Sequence, residues 1–168
     1  MTSEPIQDTA WEFCLDDLSG VEIQALLAEH LANMRQWSPP ESIHALDLTG
    51  LRAPGVSFWS AWSAGELRAC GALQQLDAEH AEIKSMRTPA ARRGQGGGRR
   101  MLDFLLAEAH RRGYRRLSLE TGSQDGFVPA RRLYASVGFV ECGPFGRYQL
   151  DPHSVFMTLD LSTVRTAG

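Results

Sequence analysis

The chain is short of lysine, of paired cysteines and of unbroken apolar sequence. Its 168 residues hold one lysine, Lys84, and three cysteines, Cys14, Cys70 and Cys142. The cysteines are far apart, odd in number and form no CxxC, which argues against a disulfide framework or a thiolate metal cluster and for a reducing, cytoplasmic setting. Each reads as a small core residue. His30, His44, His80, His110 and His153 show no metal-ligand spacing, so no metal is expected and each histidine reads as structural or surface. No stretch could span a bilayer, and the acids Glu4, Asp8, Glu12, Asp16 and Asp17 argue against a signal peptide. The net charge of -3 gives no general reason to expect nucleic acid or a membrane surface as partner.

What is present fits one globular domain over residues 1–168, with 1–9 as a loose leader. At 18.5 kDa and 43% hydrophobic residues the chain can build a sizeable core. Charge is unevenly spread. Residues 87–132 hold eleven arginines against four acids, while residues 1–86 hold thirteen acids against four bases. A positive middle suits a polyanionic ligand; an arginine-rich surface habit would give the same pattern.

The chain is organised around residues 82–112. Glu82-Ile83-Lys84-Ser85-Met86-Arg87-Thr88 reads as a strand. After Pro89-Ala90-Ala91 comes Arg92-Arg93-Gly94-Gln95-Gly96-Gly97-Gly98-Arg99-Arg100, which opens a helix running to Arg112. The first amides of a helix lack internal partners and carry the positive end of its dipole. Glycines let such a turn fold back until several N–H groups point at one anion, and a diphosphate is the natural guest. Arg92, Arg93, Arg99 and Arg100 add charge around the turn. No Gly-Lys-Ser/Thr follows, so this is not the usual nucleotide-triphosphate loop, nor is it the dinucleotide fingerprint.

The remaining pattern predicts a strand at 11–15, a helix over 21–34, and a second short helix from Pro40 through Leu46 after Ser38-Pro39-Pro40. A loop at 49–55 leads to a three-strand antiparallel meander over 56–62, 66–76 and 80–88. The helix to Arg112 is followed by a strand at 116–120, parallel to the one ending at Thr88. A loop at 122–126, a helix at 129–137, a strand from Phe139, a loop at 143–152 and a strand at 155–161 complete the order.

This order resembles the GCN5-related N-acetyltransferase fold over nearly the whole chain. Arg93-x-x-Gly96-x-Gly98 is similar to that family's Arg/Gln-x-x-Gly-x-Gly/Ala loop. Glu82-Ile83-x-x-Met86-x-Thr88 precedes it, and Ala130-x-x-Leu133-Tyr134-x-x-x-Gly138-Phe139 is similar to the family's Ala-x-x-Leu-Tyr-x-x-x-Gly-Phe. The implied class is α+β: a mixed, mostly antiparallel sheet of about seven strands, helices on both faces, and a splayed parallel pair in the middle.

The resemblance implies acetyl-CoA as co-substrate and direct transfer to the amine of a small or amino-acid-like acceptor. It further implies that backbone groups of Met86 and Thr88 hold the pantetheine arm and that amides from Gly94 to Arg99 hold the diphosphate. The implied cofactor-binding set is Met86, Arg87, Thr88, Arg93, Gly94, Gln95, Gly96, Gly97, Gly98 and Arg99. Tyr134 is the implied proton donor to the leaving thiolate, against the alternative of a core tyrosine. Glu82 is the candidate base, against a surface glutamate paired with Lys84; Glu120 or a water chain are rivals for that role. The family often bulges the strand before the loop, which no residue here reveals. Many relatives carry Asn where this chain has Phe127, and Gln124 or Ser123 could take its place. The 35–44 segment and the 143–154 loop, with Arg147, Tyr148 and His153, are expected to face the acetyl end. A catalytically silent acyl-CoA sensor on the same fold is the alternative function, and a homodimer is implied by analogy alone.

Overall fold

The computed structural model describes residues 10–40 and 48–163. Seven strands form one sheet in the order β1-β2-β3-β4-β5-β7-β6. They are β1 (Glu12–Leu15), β2 (Val56–Ser63), β3 (Glu66–Gln75), β4 (His80–Arg87), β5 (Arg116–Gly122), β6 (Val140–Cys142) and β7 (Ser154–Asp160). Every pairing is antiparallel except β4 with β5. The fold class and the parallel central pair are therefore as the sequence implied.

Alternation along the strands divides the core in two. Ala69, Leu73, Ala81, Ile83, Leu117 and Leu119 face α3 (Gly97–Arg111), whose Met101, Leu102, Leu105, Leu106 and Ala109 are buried at helical spacing. The intervening Cys70 and Ala72 face the other way. With Phe58 they pack under Ile23 and Leu26 of α1 (Val21–Trp37) and Leu51 of α2 (Leu48–Leu51). Helices thus cover both faces. α4 (Val128–Ser136) starts with Pro129 in its first turn, where a missing N–H costs nothing, and buries Tyr134.

Two local expectations change. α1 runs a turn further than its apolar spacing indicated, to Trp37, and Pro39 and Pro40 then forbid continuation. One helical turn, α2, replaces the start of the loop expected from Thr49, because Leu51 is drawn into the core beside α1. The second helix expected from Pro40 to Leu46 lies, beyond Pro40, outside the described residues. Among the described residues no helix is long and apolar enough to cross a membrane.

Candidate active site

The cleft begins where β4 and β5 part. They pair from His80↔Arg116 to Ile83↔Leu119, and then β4 continues to Arg87 and β5 to Gly122 without further pairing. A bulge explains the divergence. The register of β3 with β4 shifts by one residue between Cys70 and Ala72, and Ser85 takes φ +55°. An extra residue bends its strand and raises its twist. A non-glycine residue in the left-handed region is held only by its surroundings, and here the Cys70 thiol donates to the Ser85 carbonyl at 3.3 Å.

Beyond β4 a 3₁₀ turn, Ala90–Arg92, leads to the glycine loop. Gly94 and Gly96 have φ of +77° and +83°, the second as N-cap of α3, and no side chain caps that helix. A Cβ on Gly97 would stand 2.8 Å from the Arg68 carbonyl oxygen, so only glycine lets α3 start this close to β3. The first-turn amides are left facing the cleft mouth, which suits an anion.

The arginines divide. Arg93 and Arg99 line the cleft; Arg92 and Arg100 do not. Arg92 pairs with Glu66, and Arg100 lies over the Trp11 ring at 4.8 Å. The expectation that all four surround the turn is corrected accordingly: nearby acids and an aromatic face claim two of them. Met86, Arg87, Thr88, Gly94, Gly96 and Gly98 also line the cleft. Gln95 and Gly97 do not: Gln95 Oε1 accepts from Arg68 Nη1 at 3.2 Å, and Gly97 is buried against β3. α1 closes over this end. Glu29 Oε1 accepts from the Ala90 amide at 3.1 Å and lies 3.5 Å from Arg87 Nη2. His30, read as structural or surface, lines the cleft with Nδ1 buried and unpartnered among the described residues. Burial first, then the Arg87 charge, hold its pKa down at about 4, so the ring is neutral at neutral pH.

The cleft, with room for about 570 Å³, runs from this loop to a group of titratable side chains. Glu82 and Lys84 alternate with core residues on β4, so both project from the face opposite α3; Glu120 does the same on β5. Glu82 is buried, at 4% exposure. Its Oε2 accepts from Lys84 Nζ at 3.1 Å and from the Tyr148 hydroxyl at 2.5 Å, and Lys84 Nζ donates to Tyr148 Oη at 2.9 Å. Tyr148 comes from the segment between β6 and β7, which folds back over the sheet by packing Phe145 edge-on against Tyr148 and Phe156, with Tyr148 tilted against Phe156. Burial and the Glu82 charge push the Tyr148 hydroxyl far above its ordinary range.

Glu120 differs from Glu82. Burial raises its pKa to about 7; the Ser154 hydroxyl and Lys84 oppose this, and the charges of Glu82 and Asp151 add to it. Tyr134 of α4 lines the same cleft. Burial, then the Glu120 charge, push its pKa to about 12, so it stays protonated. Among the described residues its hydroxyl donates no hydrogen bond, while its ring rests edge-on against Phe139 at 5.8 Å. A carboxylate poised near neutrality and a protonated phenol thus share one cleft, the pairing that acid–base transfer requires.

The far end is closed by Trp37. A Cβ on Gly126 would meet its ring at 2.7 Å, and the ring meets Phe127 edge-on at 5.2 Å. Phe127 lies so tightly on Gly122 that no side chain fits there. The position at which the resemblance leads one to expect Asn is thus an apolar wedge. Gln124 instead joins Ser38 (3.4 Å) to His153 Nδ1 (2.9 Å), tying α1 to the segment before β7. Sequence reasoning missed the depth of Lys84 and its bond to Tyr148. The polar–apolar alternation of 80–84 was a usable signal for facing, but not for what covers the face.

Comparison with known proteins gives this geometry a context. Residues 23–139 match the sequence profile of the Acetyltransferase (GNAT) family. The chain is 54% identical over 147 residues to an uncharacterized N-acetyltransferase of Bacillus subtilis, covering 88% of this chain and 97% of that protein. It is 40% identical over 121 residues to an IAA acetyltransferase of Azospirillum brasilense, covering 71% and 77% respectively. The fold is similar to the crystal structure of a GNAT family acetyltransferase from Elizabethkingia anophelis with acetyl-CoA bound. There the TM-score is 0.64 at 18% identity, over 92% of this chain and 99% of that one.

Proposed function

The chain belongs to the Acetyltransferase (GNAT) family, and on that premise we propose that it acetylates the amine of a small molecule by direct transfer from acetyl-CoA. The family makes it an acetyl-CoA-dependent acyltransferase; the acceptor class and the residue roles are our reading. The observation that carries it is the sharing of one cleft by Glu120 and Tyr134, with pKa values of about 7 and about 12.

The residues present fit the co-substrate. Uncapped amides at the start of α3, between left-handed Gly96 and buried Gly97, make a cradle for a diphosphate. The free edges of β4 beyond Ile83 and of β5 beyond Leu119 offer backbone groups, Met86 and Thr88 among them, to the pantetheine amides in the manner of an added strand. Acetyl-CoA supplies a thioester carbon already open to attack. The acceptor arrives as an ammonium, and Glu120 takes its proton. The freed nitrogen forms the new bond to the acetyl carbon as the carbon–sulfur bond breaks; Tyr134 gives its proton to the departing sulfur, and the second proton shed by the nitrogen restores the Tyr134 hydroxyl. Alignment of nitrogen and carbonyl between the diverging strands supplies much of the rate. Glu82 serves best as the anchor of Lys84 and Tyr148: two donors already occupy its Oε2, and its field helps to raise Glu120. A cytoplasmic location is supported by three free, separated thiols.

The test is thiol release from acetyl-CoA with a panel of amines, amino acids and aminoglycosides. Saturable, acceptor-dependent release supports the reading. Acetyl-CoA binding without release for any acceptor would remove it.

A further inference from the structure

A second cavity, of about 810 Å³, opens beyond the Glu82–Lys84–Tyr148 cluster. Those three side chains are wall to both this space and the cofactor cleft. Its floor adds Gln74 and Gln75 at the end of β3, where Gln74 stands opposite Glu82 in the sheet register and so shares its face. Its other wall is Arg147, Gln149 and Asp151, flanking the anchored Tyr148.

The charges here are not all paired. Glu82 and Lys84 neutralise one another at 3.1 Å. Asp151 keeps its charge while its Oδ1 accepts from the His153 amide at 2.8 Å. The Arg147 guanidinium has no ion pair or hydrogen bond among the described residues. The Gln74, Gln75 and Gln149 side chains likewise have none. One cation free to bind, set among three amides that can both donate and accept, is a polar site matched to a carboxylate on a polar molecule.

We propose that this cavity holds the non-reacting end of the acceptor, and that the acceptor carries a carboxylate held there by Arg147. The acceptor class is then an amino acid or an amino-acid-like zwitterion rather than a bare alkylamine. The inference rests on the acetyl-transfer reading above and narrows its acceptor.

Matched pairs of acceptors test it: each amino acid against the amine that lacks only its carboxylate, assayed by thiol release with the full chain. The wild type should favour the carboxylated member in kcat/KM by about tenfold or more, as expected when a site built for a polar group meets a ligand without it. Arg147→Ala should erase that preference by raising KM for the carboxylated acceptor about tenfold, with KM for acetyl-CoA held. Arg147→Lys should restore part of it. Arg147 is exposed, so an unchanged melting temperature accompanies either variant. Equal use of both members by the wild type, or a preference that survives Arg147→Ala, overturns the inference while leaving acetyl transfer standing. Release with neither member of any pair, despite acetyl-CoA binding seen by calorimetry, overturns the transfer reading and this inference with it.

Discussion

The Tyr148 hydroxyl donates to Glu82 Oε2 at 2.5 Å, and the two residues lie 66 positions apart in the chain. That bond, with Lys84 on the same oxygen, occupies one oxygen of the carboxylate expected from sequence to be the base. Glu120, one strand away, keeps a raised pKa and carries no such load. Which glutamate takes the proton can be settled by experiment.

Glu120→Gln should lower kcat about 10²–10⁴-fold. In the wild type, kcat/KM should fall about tenfold per unit as pH drops below about 7, where Glu120 becomes protonated. The variant should show no such limb. Stability should move the opposite way. The folded-state pKa lies above the ordinary 4.5, so burial of the charge costs nothing below about pH 4.5 and costs most above about 7. The variant should therefore gain about 1–3 kcal/mol near pH 8 and nothing near pH 4. Loss of stability at pH 8 would show that the Glu120 charge is satisfied rather than strained.

Tyr148→Phe removes one donor to Glu82 and leaves Lys84 in place. Stability should fall by about 1–2 kcal/mol, the worth of a buried hydrogen bond to a charged group. The pH limb near 7 should stay. If the limb moves by a full unit, Glu82 is the group titrating, and the assignment to Glu120 is wrong.

Tyr134→Phe should reduce kcat by roughly 10²-fold while the affinity for acetyl-CoA, measured by calorimetry, stays within about twofold. The ring keeps its contact with Phe139, so folding is expected to be intact. Turnover equal to wild type would remove Tyr134 from the mechanism.

Gly97→Ala places a methyl 2.8 Å from the Arg68 carbonyl oxygen, a backbone atom that cannot swing aside. The start of α3 must move, and with it the amides offered to the diphosphate. KM for acetyl-CoA should rise about tenfold or more, since small displacements of positioning groups are costly. KM for the acceptor should change little. An unaltered KM for acetyl-CoA would place the diphosphate elsewhere.

The linear sequence by itself settled the architecture and pointed to the glycine loop. Apolar residues at 3.6-residue spacing in 101–109 and the polar–apolar alternation of 80–84 each answer to local geometry, and local geometry is written in neighbouring residues. The glycines of 94–98 are legible for the same reason, since a turn is made of consecutive residues. What covers the Glu82 end of the cleft was decided by tertiary structure. Whether the polar side of β4 meets solvent or a lid depends on Phe145, Tyr148 and Phe156 folding back from some 60 residues away. The pKa of Glu120 is raised chiefly by burial and then adjusted by Ser154, Lys84, Glu82 and Asp151, drawn from two stretches of chain remote from it in sequence. The bulge at Ser85 needs Cys70 on the neighbouring strand. Dielectric surroundings and long-range pairing are properties of what the fold brings together, so a sequence can nominate a carboxylate without saying which one is left able to accept a proton.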